Sequence, residues 1–263
     1  MFRAFSIILA GFTVVMVGCN STGNDHFLAT LIDSPPTPQE AARDAFNVYD
    51  ADVRRRSVNL IAASPFGHEP PYLRMYRLLS KDPDPTVRAA AVRALGMHGL
   101  PEDGEIVVAA LEDDATFVRW EAAKALQRLH HPDAVEPLLD TLRTSDDPDV
   151  RMAVARALGQ YPSPAVFNAL VGALNDSEFG TVHAAHSSLT TLTGQQLGID
   201  AQAWLAWADE NRDGLFAQGV TYTYEPWVDP PGLLDKMQFW KKAEEPEPQV
   251  PRGLESEDES RDG

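Results

Sequence analysis

Three sets of side chains in this chain have types and spacings that can do chemistry. His183 and His186 stand one helical turn apart, a spacing that can hold a divalent metal. A zinc shell needs a third ligand and often a fourth, and no Glu stands between the two as in helical zinc proteases. His186 also fills a slot that small residues take elsewhere, so a packing role is expected and no metal is assigned. Cys19 is the single cysteine, which excludes an intrachain disulfide and any multi-cysteine metal cage. The third set recurs: Asp50, Asp82, Asp84, Asp113, Asp114, Asp146, Asp147 and Asp149 precede the segments that carry Arg54, Arg88, Arg119 and Arg151. A catalytic pair would normally occur once. Recurrence argues for a structural task, with Asp capping helix starts and Arg bridging to a neighbouring Asp or carbonyl. His130-His131, ahead of Pro132 and Asp133, suits a helix end. No phosphate-binding glycine loop, dinucleotide fingerprint or Gly-x-Ser-x-Gly elbow is present, so no catalytic residue and no cofactor is expected.

The elements that position these residues repeat about every 32 residues. Val53-Arg54, Val87-Arg88, Val118-Arg119, Val150-Arg151 and Val182-His183 mark the copies. Four positions after each Val come Ser57, Ala91, Ala122, Val154 and His186. Seven after it come Leu60, Ala94, Ala125, Ala157 and Leu189; eight after it come Ile61, Leu95, Leu126, Leu158 and Thr190. Those offsets share one helix face, and their small residues let helices approach closely. Gly96 and Gly159 fall where that helix is expected to stop. A second apolar segment follows in each of the first four copies, closing on Leu79, Leu111, Leu142 and Leu174. Two helices per copy, stacked on their neighbours, predict an all-α solenoid.

The phrase Asp82-Pro83-Asp84-Pro85-Thr86-Val87-Arg88-Ala89-Ala90-Ala91-Val92-Arg93-Ala94-Leu95-Gly96 resembles the HEAT repeat in its short bacterial form. Asp146 to Gly159 repeats it nearly letter for letter. The resemblance covers residues 50 to 192 and implies a superhelix of about five helical hairpins. It implies a scaffold that binds a protein partner in a groove lined by the second helices. On that reading Arg74, Arg77, Glu105, Glu112, Glu136, Asp140 and Arg143 face the partner, grading from basic to acidic. Short HEAT-like repeats also occur in phycobilisome lyases, so a lyase-type enzyme is one alternative. A structural spacer of the envelope is another.

The N-terminus reads as an address. Arg3 and the apolar run from Ala4 to Val17 form a secretory signal too short to span a bilayer. Met16-Val17-Gly18-Cys19 resembles the lipobox of bacterial lipoproteins, which implies cleavage before Cys19 and lipidation of its thiol. Residues 1–18 are then the signal and 19–37 a polar tether. The expected location is the cell envelope at its periplasmic face, and Asn20 favours the outer membrane by the enterobacterial sorting rule.

The array and its cap should span 38–213. Asp200 is a good N-cap, and Trp204 and Trp207 share a face of the helix that covers the last repeat. An extended stretch and a short amphipathic helix with Leu233, Leu234, Met237 and Trp240 should occupy 214–242. From Ala243 to Gly263 the chain is rich in Glu, Pro and Ser, a composition that predicts a disordered acidic tail. With 22 Lys and Arg against 39 Asp and Glu, the net charge is −17. Nucleic-acid affinity comes largely from cations that neutralise phosphates, so nucleic acid is excluded as the expected partner.

Overall fold

The computed structural model describes residues 36–226 and 247–254. The signal, Cys19 and most of the tether lie outside the described residues, as does the amphipathic segment around Leu233 to Trp240. The described residues are all helical in their regular structure, with two isolated bridges in place of any sheet. Among them, no helix is long and apolar enough to cross a membrane.

The Val-Arg segments form α2 (Ala51–Ala62), α4 (Pro85–His98), α6 (Thr116–Leu126), α8 (Pro148–Leu158) and α10 (Phe179–Thr193). The flanking segments form α1 (Pro38–Asp44), α3 (Pro70–Leu79), α5 (Gly104–Ala109), α7 (Val135–Thr144) and α9 (Pro164–Ala173). A final helix, α11, spans Ala201–Glu210. Each flanking helix packs chiefly on the Val-Arg helix that follows it, so the hairpins are α1–α2, α3–α4, α5–α6, α7–α8 and α9–α10. The hairpin register is therefore shifted by one helix from the sequence order of the copies.

The Val-Arg helices also stack on one another along the array, more closely than the flanking helices do. Small residues allow it. Ala91, Ala94, Ala122 and Ala157 are fully buried, as are Val87, Leu95, Val118, Leu126, Val150 and Leu158. Gly96 shows how tight the stack is: a Cβ there would lie 2.6 Å from the Ala125 Cβ. Gly96 does not end α4, which runs two residues further to His98. Close approach is its task, whereas Gly159 does cap α8. Leu60 is 40% exposed, because its slot faces outward at the start of the array.

At the other end Asp200 accepts from the Gln202 N–H and starts α11. Trp204 is fully buried, donates its indole N–H to the Gly198 carbonyl at 2.7 Å, and meets Phe167, His186 and Trp207 edge to face. Trp207 is half-buried beside it.

The tail corrects one expectation. Residues 247–254 are not free: the Arg252 N–H donates to the Arg128 carbonyl, and the His130 N–H donates to the Arg252 carbonyl. Gln249 and Tyr224 exchange backbone hydrogen bonds. Average composition hides the reason, which is a single Pro-Arg-Gly sequence whose arginine is anchored between α4 and α6.

Candidate functional site

The recurring Arg and Asp residues form a polar ladder. Arg54 grips the Asp82 carboxylate through two bonds of 2.8 and 2.7 Å and reaches back to the Asn47 carbonyl. Arg88 does the same with Asp113 at 2.7 and 2.8 Å and reaches back to the Asp82 carbonyl. Arg151 holds Asp176 and reaches back to the Ser145 carbonyl. Each guanidinium thus ties the turn before its helix to the next turn along the array. The rung residues Asn47, Asp82, Asp113, Ser145 and Asp176 share one further bond, each side chain accepting from the N–H two residues on. Hydrogen bonds from Arg88 and Arg151 hold the Asp113 and Asp176 carboxyls below the usual carboxylate range. Sequence reasoning assigned the arginines to such bridges but missed Asp176.

Arg119 breaks the pattern. It reaches back to the Asp113 and Asp114 carbonyls, but Ser145 stands where its carboxylate partner would be. Among the described residues Arg119 makes no ion pair.

The metal-spaced histidines part company. His183 is exposed beside Phe179, and His186 packs against Trp204. Among the described residues, no three His, Cys, Asp or Glu side chains converge as a metal shell would require. His130 stacks on Tyr161 and bonds Gln160, and burial lowers its pKa.

Depressions lie along the Val-Arg helices and, between α7 and α9, on the flanking row. A depression of about 660 Å³ opens between α2, α4 and α6, lined by Asn59, Arg93, Trp120, Glu121, Lys124 and Arg128. A second, of about 450 Å³, continues past Lys124 and Arg128 to Arg156, His183, Tyr222 and Tyr224. The residues expected to meet a partner sit elsewhere. Arg74, Glu105, Glu112, Glu136 and Asp140 are exposed on the flanking row, Arg77 is committed to Asp103, and Arg143 edges a hollow of about 450 Å³ between α7 and α9.

Asn59, Arg93, Lys124 and Arg156 are each the sixth residue after the repeat's Val. That offset falls off the core face, so the repeat pattern itself could have marked them. Glu121, only 7% exposed, lies within 3.5 Å of Arg93 and 3.9 Å of Lys124. Burial pushes its carboxyl up, against the pull of these cations. The Lys124 ammonium sits 4.0 Å above the Trp120 ring, and burial lowers its pKa. Arg128 lies 5.8 Å from the Tyr224 ring and, like Arg156, has no carboxylate partner among the described residues. The site therefore presents a row of cations between aromatic walls, with Glu121 and Glu225 among the lining residues.

The sequence matches the HEAT repeats family over residues 40–127 and 105–190. This chain is a HEAT repeat protein. The HEAT array is 38% identical over 112 residues to a HEAT repeat-containing taxis protein of Halobacterium salinarum, covering 36% of this chain and 28% of that protein. It is 34% identical over 136 residues to the phycocyanin operon protein Z of Pseudanabaena tenuis, covering 48% and 65% respectively. The chain thus spans less than two thirds of either relative. An engineered protein of known structure aligns with a TM-score of 0.47 at 19% identity, over 70% of this chain and 95% of that one.

Proposed function

We propose that this HEAT repeat protein is a non-catalytic scaffold that holds an acidic segment of a protein partner along the cation row of its Val-Arg helices. The observation that carries this reading is the pair Arg128 and Arg156. In a chain of net charge −17, two guanidinium groups stand in a groove without a salt bridge among the described residues, with Glu225 as the carboxylate on its wall. Local cations between low-dielectric walls focus the field and attract negative charge even when the whole molecule repels it. Tyr222 and Tyr224 supply the amphipathic contact area common at protein interfaces. The Cys19 lipid tether remains part of the proposal and would present this groove at the periplasmic face of the bacterial envelope.

A fluorescent Glu-rich peptide titrated into the full chain tests the groove. Binding should weaken at least tenfold in R128E/R156E and stay unchanged in E136K, which lies on the flanking row. Equal affinity for all three proteins would sink the proposal. The tether is tested separately by the intact mass of membrane-extracted protein against Cys19→Ala. Acyl mass on a chain beginning at Cys19, lost in the variant, is expected; an unmodified Met1 terminus would remove it.

A lyase-type reading is favoured by one observation, the 34% identity to a protein of a phycocyanin operon. A visible absorption band that copurifies with the chain would support it over the scaffold.

A further inference from the structure

Arg252 enters a notch where two helix ends meet. Its terminal nitrogens donate to the Gly96 carbonyl at 2.7 Å and the Met97 carbonyl at 2.9 Å. These carbonyls belong to the last turn of α4, where intrahelical donors run out and the dipole favours a cation. Beside them, the Arg128 carbonyl and the His130 N–H offer one acceptor and one donor just past α6, spaced to pair with an extended chain. Pro251 is buried, and Gly253 follows with φ +85, where an added Cβ would come 2.9 Å from the His130 carbonyl. The notch therefore reads three successive features: a buried Pro, an arginine fork and a glycine.

The resident segment fits imperfectly. The Arg252 Nε is buried without an acceptor, and the guanidinium has no carboxylate partner. Burial lowers its pKa, against the pull of Tyr224 and Asp103. An orphaned buried donor and the desolvation of a charge both cost stability, so this contact is weaker than a fully satisfied one.

We propose that the notch between the C-terminal ends of α4 and α6 is a receptor for extended Pro-Arg-Gly peptide segments, occupied in the resting chain by residues 251–253 as a releasable latch. This goes beyond the scaffold reading and holds whether or not an acidic partner binds. The ligand class is a protein segment with an arginine whose fork meets two parallel carbonyls, a geometry that lysine cannot reproduce. Because Gln249 pairs with Tyr224, which lines the second depression, release of the latch also frees that tyrosine's backbone.

The test uses a fluorescein-labelled peptide with the sequence of residues 247–254, added to the full chain. Native protein should bind it weakly, because its own tail competes. R252A protein, with the notch vacated, should bind it at least tenfold more tightly. The same peptide carrying Arg252→Lys should lose at least tenfold on the R252A protein. G253V protein gives a second way to vacate the notch and should also bind the native peptide more tightly. Hydrogen exchange at the His130 amide should speed up in both protein variants and slow again when the peptide is added. Equal affinity of native and R252A proteins, equal binding of the Arg and Lys peptides, or no binding to either folded variant would overturn the proposal.

Discussion

Arg119 and Ser145 occupy ladder positions that elsewhere belong to an ion pair. At the equivalent place one copy earlier, Arg88 meets Asp113 with two bonds of 2.7 and 2.8 Å. One copy later Arg151 meets Asp176 at 2.8 and 3.0 Å. Ser145 keeps the bond to the N–H two residues on but offers no carboxylate. A cavity of about 550 Å³ opens there, lined by Thr116, Arg119, Thr144 and Ser145. The ladder that ties the turns together is thus interrupted at its centre.

Ser145→Asp should close the gap. The new carboxylate would keep the turn bond and add a bidentate partner for Arg119, a gain of about 1 kcal/mol for a partly exposed pair. Urea denaturation measures it as a higher midpoint at unchanged slope. No shift, or a lower midpoint, would mean that Arg119 cannot swing its fork toward residue 145.

Stability should respond to pH in two opposite ways. Asp176 is held below the ordinary value of 3.8, first by its bond to Arg151. A depressed folded value contributes stability that is present above 3.8 and is lost as pH falls through the folded value. Glu121 is raised from 4.5, first by burial. Its folded form binds a proton more readily than the unfolded chain, so its contribution is present below 4.5 and is lost as pH rises through the folded value. In melting temperatures against pH, D176N should lower stability above about pH 5 and flatten the acid fall. E121Q should flatten the loss on the neutral side. Curves parallel to the native one would contradict both assignments.

Gly96→Ala should destabilise the array although alanine is the better helix former. The propensity gain is about 1 kcal/mol, while the methyl would meet Ala125 at a distance real Cβ atoms do not show. A net loss of up to about 2 kcal/mol is expected, since overpacking typically costs about 1–3 and the propensity gain offsets about 1. A gain in stability would show that α4 and α6 separate at little cost.

Trp204→Ala should cost about 3–5 kcal/mol, the range for removing a buried aromatic core side chain. Its neighbours Phe167 and His186 belong to α9 and α10, so amide exchange should accelerate there and in α11 before α2 or α4 responds. Uniform acceleration along the array would show that the cap does not melt separately.

Most of the helices are legible in the amino-acid sequence, because spacing writes them directly. Offsets of four, seven and eight from each Val place Ala91, Ala94 and Leu95 on one buried face, and the same holds in the next two copies. The site is far less legible. Arg93, Lys124 and Arg156 are spaced by the same repeat, yet a cation off the core face looks like any solvated side chain until its neighbours are known. Arg128 gives no sequence sign that its carbonyl receives Arg252, because the two are far apart along the chain.

What the sequence by itself determined is the helical repeat, its register and the small residues that let helices stack, since these are local periodicities carried in full by neighbouring positions of the chain. Three things were decided only by tertiary structure: which helices pair as hairpins, which row of side chains lines the groove, and where the Pro-Arg-Gly segment comes to rest. Hairpin pairing depends on which helix faces meet, because the connections on either side of a Val-Arg helix are of similar length. The docking of Arg252 depends on the carbonyls of Gly96 and Met97 pointing into the same notch. Neither carbonyl is visible in a sequence, because every residue carries one and only the fold decides which are left without a donor.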